Sequence, residues 1–113
     1  MNRATMNTDE RTAKIALLAS KIETQYREQF NKQYSALQTA APDYFNAATV
    51  VEVRPGKVYT KINVGGSGKY MVDQAGNVWG IKGYGQVHTG RFYGTLDTIQ
   101  NYDWSGYTAH CIA

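Results

Sequence analysis

All 11 glycines of this 113-residue chain fall at or after Gly56, and the first 55 residues contain none. Glycine weakens helices and serves turns, so a chain divided this way splits into a helical part and a turn-rich β part. Its length suits one domain and is too short for two separate cores. The expected fold class is α+β: a long N-terminal helix plus a small, bent antiparallel β-sheet or partial barrel. Within a single domain over 1–113, the helical part covers 1–47, the sheet part 48–104 and a peripheral tail 105–113.

Ile15, Leu18, Ile22, Tyr26, Phe30, Tyr34 and Leu37 follow one another at intervals of three or four, a single apolar stripe on one helix. Asn7 and Glu10 suit a capping box, Asp9 and Glu10 suit the positive helix N-terminus, and Pro42 is expected to stop the helix near Ala41. Glu23–Arg27 and Glu28–Lys32 are favourable i,i+4 pairs. A helix of roughly 30 residues would be about 45 Å long, against about 25–30 Å for a compact body made from the rest. Either the helix breaks, or a second copy covers the far end of its stripe. The expectation is a homo-oligomer.

From Thr49 the period becomes two. Val51 and Val53 begin it, Pro55-Gly56 turns, and Val58, Thr60, Ile62 and Val64 alternate with Lys57, Tyr59, Lys61 and Asn63. Gly65-Gly66-Ser67-Gly68 is a second turn, followed by a strand from Lys69 to Asp73. Asp73-Gln74-Ala75-Gly76 reads as a type I turn closed by a left-handed glycine. The next strand, Asn77 to Lys82, puts Val78 on one face and Trp79 with Ile81 on the other. Gly83-Tyr84-Gly85 and Gly90-Arg91-Phe92-Tyr93-Gly94 are permissive, aromatic-bearing backbone, and Leu96 to Ile99 suits a short helical turn or strand.

Charge is unevenly placed. Residues 1–53 are neutral overall, whereas 54–91 carry Arg54, Lys57, Lys61, Lys69, Lys82 and Arg91 against Asp73 alone, a net of +5. An anionic partner would sit on that middle segment. No run of 18 apolar residues is present, so no membrane partner is expected. With no secretory h-region visible and a lone Cys111, the expected compartment is a reducing cytoplasm.

The loop Gly65 to Lys69 lacks two Walker A requirements, with Asn63 where a glycine and Tyr70 where a Ser/Thr should stand, so it reads as a hairpin turn. No elbow surrounds Ser67 or Ser105, the acidic residues are scattered, and His88, His110 and Cys111 lack metal-ligand spacing. No enzymatic activity, cofactor or metal is expected. What stands out is a set of aromatic, amide and cationic side chains on permissive backbone: Tyr70, Asn77, Trp79, Tyr84, His88, Arg91, Phe92 and Tyr93. Rings stack on bases, arginine grips phosphate in a fork, and asparagine can read a base edge. Trp79 and Phe92 also suit a core, and His88 suits a plain loop. Arg27 projects from the helix near the expected subunit seam, with a salt bridge to Glu23 as its simpler role.

The run Lys69-Tyr70-Met71-Val72-Asp73, Gly76-Asn77-Val78-Trp79-Gly80 and Gly90-Arg91-Phe92-Tyr93-Gly94-Thr95-Leu96 resembles small phage proteins with the pattern strand, D-x-x-G, strand, variable loop and Arg-containing turn. Within that group it is similar, over about residues 50–99, to the phage Thoeris anti-defence sponges of the first-described type. That resemblance implies a homo-oligomer built on dimers, up to a hexamer. It also implies sequestration of a cyclic-ADP-ribose-type immune signal at subunit interfaces, with cyclic oligonucleotides at separate sites in some members. Tyr70, Asn77 and Arg91 are the residues that best fit the family's stacking aromatic, asparagine and arginine. The expected function is therefore binding of a small cyclic nucleotide without turnover, in the host cytoplasm. Two rival readings are a β-barrel that binds nucleic acid through the basic segment, and a phage structural or assembly protein.

Overall fold

A computed structural model describes residues 8–83, 86–106 and 109–112. Helix α1 (Thr8–Gln33) is followed by a single turn α2 (Leu37–Ala40) and by α3 (Pro42–Thr49). Five strands then form an antiparallel meander in sequence order: β1 (Val51–Arg54), β2 (Thr60–Val64), β3 (Ser67–Val72), β4 (Asn77–Gly83) and β5 (Gln86–Thr95). A 3₁₀ turn, Ile99–Asn101, leads to a two-stranded ribbon of β6 (Tyr102–Asp103) and β7 (His110–Cys111). The meander is an open sheet whose edges are β1 and β5, so the fold is α+β without barrel closure. Among the described residues no helix is long and apolar enough to cross a membrane.

The stripe works as its spacing dictates over its first half. Ile15, Leu18 and Ile22 are buried against Ile62, Val72, Val78 and Leu96. Beyond that the helix breaks. It ends at Gln33, not near Ala41, and Pro42 starts α3 at its first turn, where a missing N–H costs nothing. Ala41, held off the helical region by the following proline, provides the corner (φ −144°, ψ 66°). The resulting hairpin folds Phe45 back edge-on to Phe30, ring centroids 5.7 Å apart, so this chain itself covers part of the stripe that seemed too long. Tyr34, at the far end, stays 47% exposed. Glu23 and Arg27 do not serve one another: Glu23 Oε2 accepts the Val51 N–H that starts β1, at 3.2 Å, and Arg27 Nη2 donates to Asn46 Oδ1, also at 3.2 Å.

Further ties reach from α1 to the later strands and the tail. Arg11 donates to the carbonyls of Val72 and Asp73 at 2.9 and 3.1 Å, Lys14 bridges to Asp97, and Gln25 Oε1 accepts the Trp104 backbone N–H at 2.7 Å. Trp104 is fully buried, its indole N–H donating to the Ile99 carbonyl and its ring edge-on to Tyr70. The tail is therefore less peripheral than its composition suggests, since Ala109 joins the core and β7 pairs with β6. Strand β2 is shorter than the alternation implies, leaving Val58 exposed in the β1–β2 loop.

The Asp73 turn holds as expected, whereas the glycine turn before it is two residues long, not four, because Ser67 and Gly68 already pair in β3. Gly65 and Gly66, with φ of 61° and 83°, make a two-residue hairpin turn between β2 and β3, the geometry whose twist suits a hairpin. A Cβ on Gly65 would lie 2.6 Å from the Ala48 carbonyl oxygen, so only glycine lets this turn close against the end of α3. Gly76, with φ of 86°, closes the Asp73 turn.

Candidate anion-binding site

Two interruptions of the ladder decide what faces α1. Between β2 and β3, Ile62 pairs with Tyr70 but Asn63 pairs with Gly68, so Lys69 is an extra residue, a β-bulge. Alternation would send Lys69 away from Tyr70's side. The bulge re-aims it, and its ammonium sits 4.5 Å from the centroid of the Tyr26 ring on α1. Between β4 and β5, Trp79 pairs with Phe92 while Gly80 pairs with His88, which leaves Thr89, Gly90 and Arg91 without counterparts. Across this wider bulge the Gly90 N–H donates to His88 Nδ1 at 3.1 Å, which leaves Nε2 as the nitrogen that carries the proton in the neutral ring. Arg91 lies directly over Gly80: a Cβ there would meet Arg91 Cβ at 2.9 Å and Tyr93 Cε2 at 3.2 Å.

Both bulges open onto one cavity of about 620 Å³, a size suited to a small-molecule ligand. Its rings are Tyr26 and Phe30 from α1 and Tyr93 from β5, and its polar groups are Lys69, His88, Arg91 and the hairpin at Gly65, Ser67 and Gly68. None of the described residues lining it carries a carboxylate. Burial lowers the Lys69 ammonium to a pKa of about 8, because taking that charge partly out of water disfavours the protonated form. An incoming anion would restore the lost solvation. Chemically, the arrangement offers cations for phosphate oxygens and flat faces for a ring.

Of the described residues expected at a ligand, His88 and Arg91 line the cavity, together with Tyr93 from the wider aromatic set, and Tyr70, Asn77, Trp79 and Arg27 do not. Tyr70 is a core residue, 1% exposed and edge-on to both Tyr93 and Trp104; burial raises its phenol well above the ordinary range. Asn77 and Trp79 belong to the Asp73 turn. Asp73 Oδ2 accepts from Asn77 Nδ2 and Trp79 Nε1, each at 3.0 Å, and Oδ1 accepts the backbone N–H groups of Ala75 and Asn77. Partial burial pushes the Asp73 carboxylate up, but these donors together outweigh it and hold it below its usual value. Arg27 braces α3, its guanidinium 5.4 Å from the Phe45 ring centroid and donating to Asn46, and it does not line the cavity. Tyr84 lies outside the described residues.

Sequence reasoning missed Lys69, Tyr26 and Phe30 as site residues, and set Tyr93 only among the general aromatics. The helix residues were absorbed into the core stripe, and Lys69 into strict alternation. The signal available was Gly68 just before Lys69, since glycine inside a strand marks a bulge. Among the described residues no group of three or more His, Cys, Asp or Glu is placed to hold a metal ion. Comparison of the chain with protein-family models, with curated proteins and with solved structures finds no match.

Proposed function

We propose that this protein binds a small, phosphate-bearing cyclic nucleotide in the bulge-framed cavity and holds it without turnover, as a phage anti-defence sponge does. The observation that carries this reading is the convergence of Lys69 and Arg91, each delivered by its own bulge, into one ring-walled cavity without a lining carboxylate. Arg91 and Lys69 would grip phosphate oxygens, His88 Nε2–H would donate to a further oxygen, and Tyr26 or Tyr93 would offer a face to the base. Sequestration needs affinity alone, so nothing in this reading requires a nucleophile. A homo-oligomer belongs to the same reading, with exposed Tyr34 and Tyr44 at the helical end as candidate contacts.

Calorimetry with a cyclic ADP-ribose isomer and with cyclic di- and trinucleotides tests the proposal, followed by recovery of the ligand after heat denaturation. One of these ligands should bind and be recovered intact. Replacing Arg91→Ala should weaken it about 10- to 100-fold, the value of a lost charge-assisted hydrogen bond or two. Failure of all of them to bind rejects the proposal, and a cleaved ligand makes the protein an enzyme.

A further inference from the structure

The face of the sheet turned away from α1 carries a second, differently built surface. The registers align one residue from each strand in a row across it: Arg54, Lys61, Met71, Trp79 and Phe92. Cations occupy the β1–β2 end of this row and rings the β4–β5 end. Trp79 and Phe92 lie with centroids 5.1 Å apart, and Phe92 is 49% exposed. Met71 is buried yet stands outside the core cluster, which gathers on the other face with α1. Trp79 is held in place by the bond from its indole N–H to Asp73, so the ring pair is pre-ordered before any partner arrives. At the cationic end Arg54 is drawn to Glu52 at 2.7 Å, and Lys61 is the next residue in the row.

We infer that this outer face is a binding surface for single-stranded nucleic acid, with a base stacked on the Phe92–Trp79 pair and the backbone crossing toward Lys61 and Arg54. Neighbouring strands are about 4.8 Å apart, so Lys61 stands about 10 Å from Trp79 along the row, within reach of a phosphate one or two nucleotides from the stacked base. Stacking on an exposed ring tolerates any base, and a phosphate contact carries no sequence information. The surface should therefore bind weakly, without sequence preference, and with strong dependence on salt. It is separate from the cavity under α1, because Arg91 follows Phe92's alternation to the opposite side of the sheet and the β3 bulge turns Lys69 to that side as well.

The test uses the full chain and a fluorescein-labelled oligodeoxythymidylate of about ten nucleotides. Anisotropy should rise at low salt, tryptophan emission should be quenched as the base covers Trp79, and affinity should fall steeply as salt is added. Phe92→Ala and Lys61→Ala should each reduce affinity about tenfold, and Phe92→Leu, which keeps an apolar side chain on Trp79 but removes the ring, should match Phe92→Ala. Arg91→Ala should leave oligonucleotide binding unchanged, which separates this surface from the cavity. Three results would overturn the inference: no binding at low salt; binding lost with Arg91→Ala but kept with Phe92→Leu; or self-association that Phe92→Ala abolishes with no oligonucleotide bound, which would make the face a protein contact.

Discussion

The Asp73 turn and the two bulges are made of the same kinds of residue, glycines flanked by polar and aromatic side chains, and they end up with opposite roles. At the turn the side chains of Asp73, Asn77 and Trp79 bond to one another. One carboxylate collects two backbone and two side-chain donors, and Arg11 closes over the neighbouring carbonyls. At the bulges the extra residues have no ladder partner, and their cations, Lys69 and Arg91, line a cavity. Side chains that Asp73 engages, such as Asn77 four residues on, are spent within the fold, whereas Lys69, also four residues from Asp73, is carried to the cavity by its bulge.

The sharpest way to break this contrast is to exchange its consequences. Asp73→Ala should cost about 2–3 kcal/mol in urea unfolding, since it strands several donors at once, while leaving anion affinity of the folded protein nearly unchanged. The same carboxylate sets an acid limit. Its folded pKa lies below its unfolded value, so its contribution is complete above about pH 4 and is lost as pH falls through the lower folded value. Asp73→Asn should remove that part of the acid transition.

A smaller effect is expected at Gly80. Gly80→Ala pushes on Arg91 Cβ, which is anchored to its backbone and cannot swing aside, so the bulge must shift. Anion affinity should fall several-fold for a stability cost of about 1 kcal/mol. A loss of stability with unchanged affinity would show that Arg91 is not positioned by the bulge. The smallest effect concerns Lys69. Its pKa is lowered to about 8 in the folded protein, against about 10.4 in an unfolded chain, so the unfolded chain holds a proton there that the folded one has released. Stability should rise with pH across that window, and Lys69→Met should flatten the rise. At neutral pH the variant should be about 1 kcal/mol more stable or less, the partly exposed ammonium being screened by water.

Much of the architecture was legible from spacing. The buried positions Ile15, Leu18 and Ile22, the meander, a glycine turn between β2 and β3 (though not its two-residue length) and the left-handed Gly76 all follow from period and turn chemistry. The helix break was not, because the stripe continues through Tyr34 and Leu37, and only tertiary packing of Phe45 on Phe30 makes the hairpin preferable to a longer rod. In the site, Arg91 and His88 were legible as polar groups on permissive backbone. Lys69 was not, since a bulge changes the face of a side chain without leaving a mark in a simple alternation. Tyr70 was misplaced for the same reason seen from the other side: its neighbour took the position facing the cavity, and it took the core.

The ties that α1 makes have a kinetic consequence. Its side chains reach carbonyls 61 and 62 residues away, and a backbone amide 79 residues away at Trp104. Helix α1 is thus fastened by a segment that leaves the ribosome well after it. Closure of loops this long before their contacts are rewarded belongs to slow, high-contact-order folding, on the order of milliseconds to seconds. Until the β6–β7 ribbon emerges, the nascent helix has an apolar flank facing water, which makes the interval before Trp104 docks a period when this chain is exposed to chaperones and proteases.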